Sequence, residues 1–146
     1  LRVMYPDADT PVLQLSVPTH DPEALIALGA RLAELREQGV LIIGSGFLTH
    51  GLPFLSRDNW MGDPAPPAWS LDFDEWAREL LAVGDVDSLS RYRTEAPGMP
   101  FAHPTVEHFV PLFVTLGAGG NPESPATTQI EGYFMGLSKR SVSVGG

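Results

Sequence analysis

The order of apolar and polar positions divides the chain into alternating extended and helical stretches. Val12-Leu13-Gln14-Leu15-Ser16-Val17, an apolar run between prolines, reads as a strand. Thr19-His20-Asp21-Pro22-Glu23 then opens a helix, with Asp21 as N-cap and Pro22 at the first helical position, where its missing N–H costs nothing. Leu25, Leu28, Leu32 and Leu35 recur at three- and four-residue steps, while Arg31, Glu34, Arg36 and Glu37 take the other side. One apolar stripe is therefore expected to pack on a sheet, and Gly39 to close the helix in the left-handed conformation. Val40-Leu41-Ile42-Ile43-Gly44 is continuously apolar, as in a strand covered on both faces. Strand, amphipathic helix and buried strand make a βαβ-like unit, so the predicted fold class is α/β, with a largely parallel or mixed sheet flanked by helices.

The segment Gly44-Ser45-Gly46-Phe47-Leu48-Thr49-His50-Gly51 follows the second strand, where α/β sheets carry their functional loops. From Leu52 to Trp69 a proline-rich loop is long enough to serve as a lid or wall. Ser70 is placed to cap a helix over Leu71 to Val83, with Phe73, Trp76, Ala77 and Leu80 on one stripe. Asp85 to Glu95 reads as a short exposed helix, and Ala96-Pro97-Gly98-Met99-Pro100 ends it. Thr105 is predicted to cap a helix carrying His108, Phe109, Leu112, Phe113 and Leu116, kinked or delayed by Pro111 and stopped by the glycines from Gly117. Thr127 to Phe134 and Ser141 to Val144 predict a closing β-hairpin.

Composition narrows the function classes. With 146 residues, 43% of them hydrophobic, the chain suits one domain with a real core, and 15 glycines and 14 prolines give loops a large share. A formal charge of −9 repels nucleic-acid phosphates and anionic lipid surfaces. The absence of cysteine removes disulfides, thiolate metal sites and a thiol nucleophile, so a metal would sit on imidazole and carboxylate, and a cytoplasmic location is expected. There is no signal-peptide pattern at the N-terminus, and no uninterrupted apolar stretch approaches the length of a membrane span. The chain opens on Leu1 and reaches a β-like segment almost at once, so it is expected to be the C-terminal part of a larger single domain.

Chemistry centres on the histidines. His103 and His108 are five positions apart with a proline between them, unlike the i,i+4 pair of a zinc-protease helix, and either could be a capping or core residue. A helix capped by Thr105 would put His108 in its first turn, where the backbone potential keeps imidazole neutral and fit for a metal. His50 follows a sharp Gly-Ser-Gly turn, and a surface histidine on a loop is its plain alternative. Gly44-Ser45-Gly46 is neither a phosphate loop nor a dinucleotide fingerprint, and Ile43 rules out a nucleophile elbow at Ser45. His20 reads as a solvated loop residue. Asp58, Asp63, Asp72, Asp74 and Glu75 read mainly as a solvated face, and no catalytic carboxylate is assigned.

Ser45-Gly46 with His50, together with His103-Pro104-Thr105, Glu107-His108-Phe109 and Pro111-Leu112, resembles the class III extradiol ring-cleavage dioxygenases, in their DOPA-dioxygenase-like branch. Met4 to Ser16 and the closing hairpin extend the resemblance over nearly the whole chain. The resemblance implies a non-haem Fe(II) site, with zinc possible in its place, in which His108 is a metal ligand. It further implies that His50 is the acid/base and that His103 helps shape the pocket, for O2-dependent opening of a catechol to a semialdehyde. The remaining ligands and an Asp-His-Gly motif would come from an N-terminal part of the family domain that these residues do not include. Two other readings stay open: a non-enzymatic or zinc-binding scaffold that binds a small molecule or partner protein, and, more weakly, a metal-dependent hydrolase.

Overall fold

A computed structural model describes residues 2–145. Six helices come first: α1 (Pro22–Leu32), α2 (Arg57–Trp60), α3 (Ala68–Val83), α4 (Val86–Ser90), α5 (Tyr92–Glu95) and α6 (Pro111–Ala118). Four short strands follow: β1 (Thr127–Ile130), β2 (Tyr133–Phe134), β3 (Leu137–Ser138) and β4 (Ser141–Ser143). Helix α1 begins as the sequence predicts, with the Asp21 carboxylate accepting the Glu23 amide and Pro22 at its start. It tightens into a 3₁₀ turn over Ala33–Gln38 and ends at Gly39, whose φ of 79° is the left-handed closing conformation.

The apolar stripe of α1 packs on helix α6 rather than on a sheet. The two backbones meet at glycines: a Cβ on Gly29 would lie 2.1 Å from the Val114 carbonyl oxygen, and one on Gly117 2.1 Å from that of Ile26. Such close approach lets Leu25 become fully buried in the main core with Phe73, Leu81, Phe109 and Phe113.

Local starts and stops differ from the sequence expectation at three helices. Helix α3 begins at Ala68 with Pro67 in the N-cap position, which places Ser70 inside the first turn instead of at the cap. The stretch from Asp85 to Glu95 forms two helical turns, α4 and α5, and it is not an exposed helix. Val86, Leu89 and Tyr92 recur at three-residue steps and turn one apolar edge into the core. Helix α6 begins at Pro111, not after Thr105: the Thr105 hydroxyl donates to the Glu107 carboxylate at 2.7 Å and caps no backbone amide. His108 therefore lies in the preceding turn, closed by the Phe109 and Val110 amides on the Val106 carbonyl. Pro111 causes no kink, because at the first helical position its fixed φ and absent N–H suit the geometry.

The closing hairpin forms as two nested antiparallel pairs, β1 with β4 and β2 with β3, with an irregularity between Thr128 and Ile130. Helices together with this antiparallel element agree with the α/β class. The two runs expected as strands, Val12–Val17 and Val40–Gly44, belong to no ladder among the described residues. A strand needs a neighbour to bond, and these runs leave apolar side chains in solvent, including Leu13 at 97% and Leu41 at 66% exposed. Among the described residues no helix is long and apolar enough to cross a membrane.

Candidate active site

The loop after the second apolar run is drawn against the turn that carries His108. The Phe47 amide donates to the His108 carbonyl at 3.0 Å, and a Cβ on Gly46 would lie 2.0 Å from that oxygen. Glycine at position 46 is thus required by the close approach itself. The His50 amide donates to the Ala102 carbonyl at 2.8 Å, tying the same loop to the segment before His103. These bonds bring the imidazoles of His50 and His108 face to face, with centroids 3.6 Å apart and planes inclined by 23°.

Both rings are half-buried. Burial, followed by the neighbouring His108, pushes the pKa of His50 below its usual value, and Glu107 opposes the shift. His50 therefore favours its neutral imidazole, the form that accepts a proton. Glu107 is itself an exposed carboxylate held below its usual pKa, chiefly by the Thr105 hydroxyl.

His103 occupies a different environment. Its ring is 2% exposed and sits among Phe73 and Phe109, with centroids 5.0 and 5.2 Å away. Its Nε2 lies 2.8 Å from the Leu48 carbonyl, so Nε2 must carry the hydrogen and donate it. Its Nδ1 has no hydrogen-bond partner. Burial pushes its pKa down to about 4, so the ring is neutral near pH 7. The structure brings His50 and His108 together and sets His103 behind them as a prop for the loop. His20 is exposed on the loop before α1, away from this group.

A cavity of about 410 Å³ reaches the site from one side, with His108, Phe47, Leu48 and Leu112 in its wall together with Ile42 and Val142. His50 and His103 do not line it. Part of its wall is the unladdered run from Val40, so the imidazole pair marks the site more securely than the cavity does. Among the described residues no three metal-ligating side chains come together. Imidazole suits a borderline or transition-metal cation in donor type, and the two rings by themselves are too few to hold one.

A polar cluster behind the loop escaped the sequence reading. Asp74 is 4% exposed and accepts from the Ser138 hydroxyl, from Arg140 Nε at 2.9 Å and from Arg140 Nη2 at 2.7 Å. The Tyr133 hydroxyl also donates to it, at 3.4 Å, and burial followed by the Asp74 charge pushes the phenol up to about 12. A signal was present: position 74 lies one helical turn from Ser70 and from Ala77, inside the buried stripe of α3 rather than on its solvated face.

Residues 1–139 match the sequence model of a family described as the catalytic LigB subunit of aromatic ring-opening dioxygenase. A 4,5-DOPA dioxygenase extradiol from Beta vulgaris is 45% identical over 124 residues, covering 82% of this chain and 44% of that protein. The 4,5-DOPA dioxygenase extradiol of Escherichia coli K12 is 38% identical over 147 residues, covering 97% of this chain and 52% of that protein. The crystal structure of an uncharacterized protein, JW3007, from Escherichia coli K12 superposes with a TM-score of 0.83 at 36% identity, over 99% of this chain and 59% of that one. The chain spans about half the length of the curated relatives it matches.

Proposed function

The chain belongs to the LigB family of aromatic ring-opening dioxygenases, and from that premise we propose that it supplies the proton-transfer group and one metal ligand of a site that cleaves a catechol beside its two hydroxyls, using O2. The supporting observation is the face-to-face contact of His50 and His108, two histidines 58 positions apart in sequence whose rings lie 3.6 Å apart. His108 serves as a ligand and His50 as the acid/base. When bound, a non-haem Fe(II), for which zinc is the alternative occupant, would be held in part by His108, and iron would supply the Lewis-acid and redox chemistry that lets O2 react with a catechol. Further ligands belong to a segment outside these 146 residues.

The residues of this chain prepare the substrate. The neutral His50 imidazole accepts a hydroxyl proton from the catechol, and as imidazolium it returns that proton when the ring opens to the semialdehyde. The lowered pKa of His50 keeps it unprotonated at neutral pH, as a base must be before substrate arrives. His103 shapes the pocket indirectly, because its bond to the Leu48 carbonyl fixes the loop two residues before His50. Small aromatic substrates, no nucleic acid and a cytoplasmic setting fit this reading and the acidic, cysteine-free composition.

Two variants in a full-length polypeptide carrying this sequence test the assignment. His108→Ala is expected to abolish stoichiometric iron binding, and full metal content would remove His108 from the ligand set. His50→Ala is expected to retain metal and lose oxygen consumption with a catechol; wild-type consumption would rule out the acid/base role. The alternative reading is a non-enzymatic or zinc-binding scaffold of the same fold that binds a small molecule or a partner protein. Metal retained by the wild-type protein without oxygen uptake on any catechol would select it.

A further inference from the structure

Three consecutive residues of the His50 loop are held from two sides, Leu48 and His50 by the adjacent His103 and Ala102, and Thr49 by α3 and the closing hairpin. The Leu48 carbonyl accepts from His103 Nε2 at 2.8 Å, and the His50 amide donates to the Ala102 carbonyl at 2.8 Å. Between them, Thr49 is fully buried, and its hydroxyl oxygen accepts the Ser138 amide at 2.7 Å and lies 2.8 Å from the Ser70 hydroxyl of α3. Ser138, at the end of β3, passes its own hydroxyl hydrogen to Asp74, whose two oxygens are also taken by Arg140. Of the six buried polar side chains among the described residues, five belong to these contacts: Thr49, Ser70, Asp74, His103 and Ser138.

Stability alone does not account for this arrangement. Valine has nearly the shape of threonine and would fill the same space without burying a hydroxyl, and a buried ion pair such as Asp74 with Arg140 often breaks even against apolar replacements. The linked side chains of Thr49, Ser70, Ser138 and Asp74 all have hydrogen-bond partners, and such a network gains something that apolar packing does not, namely a single geometry for the atoms it joins. Those atoms flank His50, whose ring must stay on that of His108. We propose that Thr49 is a positioning residue for His50, with Asp74 holding the Ser138 end of the link, so that helix α3 and the closing hairpin together set the imidazole against His108. The inference rests on the acid/base reading of His50. It gives the C-terminal hairpin, remote from the two histidines in sequence, a part in the reaction.

The test uses the full-length polypeptide and two measurements: steady-state oxygen uptake with a catechol, and, in the metal-free protein, the nuclear Overhauser contact between the ring protons of His50 and His108. Thr49→Val, which exchanges the hydroxyl for a methyl group and takes the acceptor from the Ser138 amide, is expected to lower kcat about tenfold or more with KM little changed, because small misplacements of a reacting group cost that much. The ring contact is expected to weaken in parallel, and Thr49→Ser to restore both. If Thr49→Val does not accumulate as folded protein, Ser70→Ala removes the other hydroxyl of the link and must show the same paired losses. Wild-type kcat with an intact ring contact overturns the inference, as does a loss of kcat that leaves the ring contact unchanged or that Thr49→Ser fails to restore. An inactive His50→Ala beside a fully active Thr49→Val would leave the acid/base reading standing and remove this inference alone. A fully active His50→Ala would remove both.

Discussion

His103 donates through Nε2 to the carbonyl of Leu48, 55 positions earlier in the chain, from a ring almost wholly enclosed by the aromatic core. The bond fixes the tautomer and leaves Nδ1 as a bare acceptor in apolar surroundings. Protonation would add a charge and a donor with nothing to receive it. That cost is why the pKa is pushed down to about 4 from 6.5.

Stability is expected to fall as pH drops from about 6.5 towards 4. In that window the unfolded chain binds a proton at position 103 and the folded chain refuses it, so the contribution is complete above the unfolded pKa and is lost as pH falls through the folded one. The full difference is worth roughly 3 kcal/mol. Urea midpoints at pH 7 and pH 4.5 measure the decline, and His103→Leu should flatten it. A decline of equal size in His103→Leu would assign it to other groups.

The stacked contact makes His50 sensitive to the ring of His108. His108→Asn is expected to raise the pKa of His50 part of the way back towards its ordinary value, since the charge contribution disappears while the burial contribution stays. A ring-proton NMR titration of metal-free protein reads the shift directly. An unchanged midpoint would mean that the two rings do not feel each other.

Gly46→Ala should separate the loop from the turn that carries His108. The added methyl would lie 2.0 Å from the His108 carbonyl and break the 3.0 Å bond from the Phe47 amide. Overpacking of this kind costs about 1–3 kcal/mol, and metal retention in the full-length polypeptide should fall with it. Equilibrium unfolding and metal analysis of the same preparation check both consequences.

Arg140→Ala strands the Asp74 carboxylate between α3 and the hairpin, where the paired side chains are only 6% and 5% exposed. Removing one member of a buried pair costs about 3–5 kcal/mol. Asp74→Leu combined with Arg140→Met should recover much of that loss, because no unpaired charge remains. Denaturant midpoints of the single and double variants decide the matter, and equal midpoints for Arg140→Ala and wild type would show that the pair carries no stability.

Much of the local structure was legible in sequence because it depends on neighbours a few residues away. Asp21 and Pro22 start α1, and Gly39 stops it, through short-range hydrogen bonds and dihedral preferences. The C-terminal hairpin likewise follows from residues close together along the chain. Where local signals competed, the prediction failed: Thr105 looked like a cap, but Glu107 takes its hydroxyl and Pro111 is the better helix start. Asp74 looked solvated because its neighbours Asp72 and Glu75 are, although its helical phase matched the buried stripe.

By itself the sequence determined the residue types of the site, the glycine turn before His50, and the family resemblance that gives those histidines meaning. It could not determine that α1 packs on α6, that the rings of His50 and His108 touch while His103 turns into the core, or that Asp74 reaches Arg140. Those relationships join residues tens of positions apart. They depend on how whole elements settle against one another to bury apolar surface and pair buried charge, so they exist only once the tertiary structure has formed.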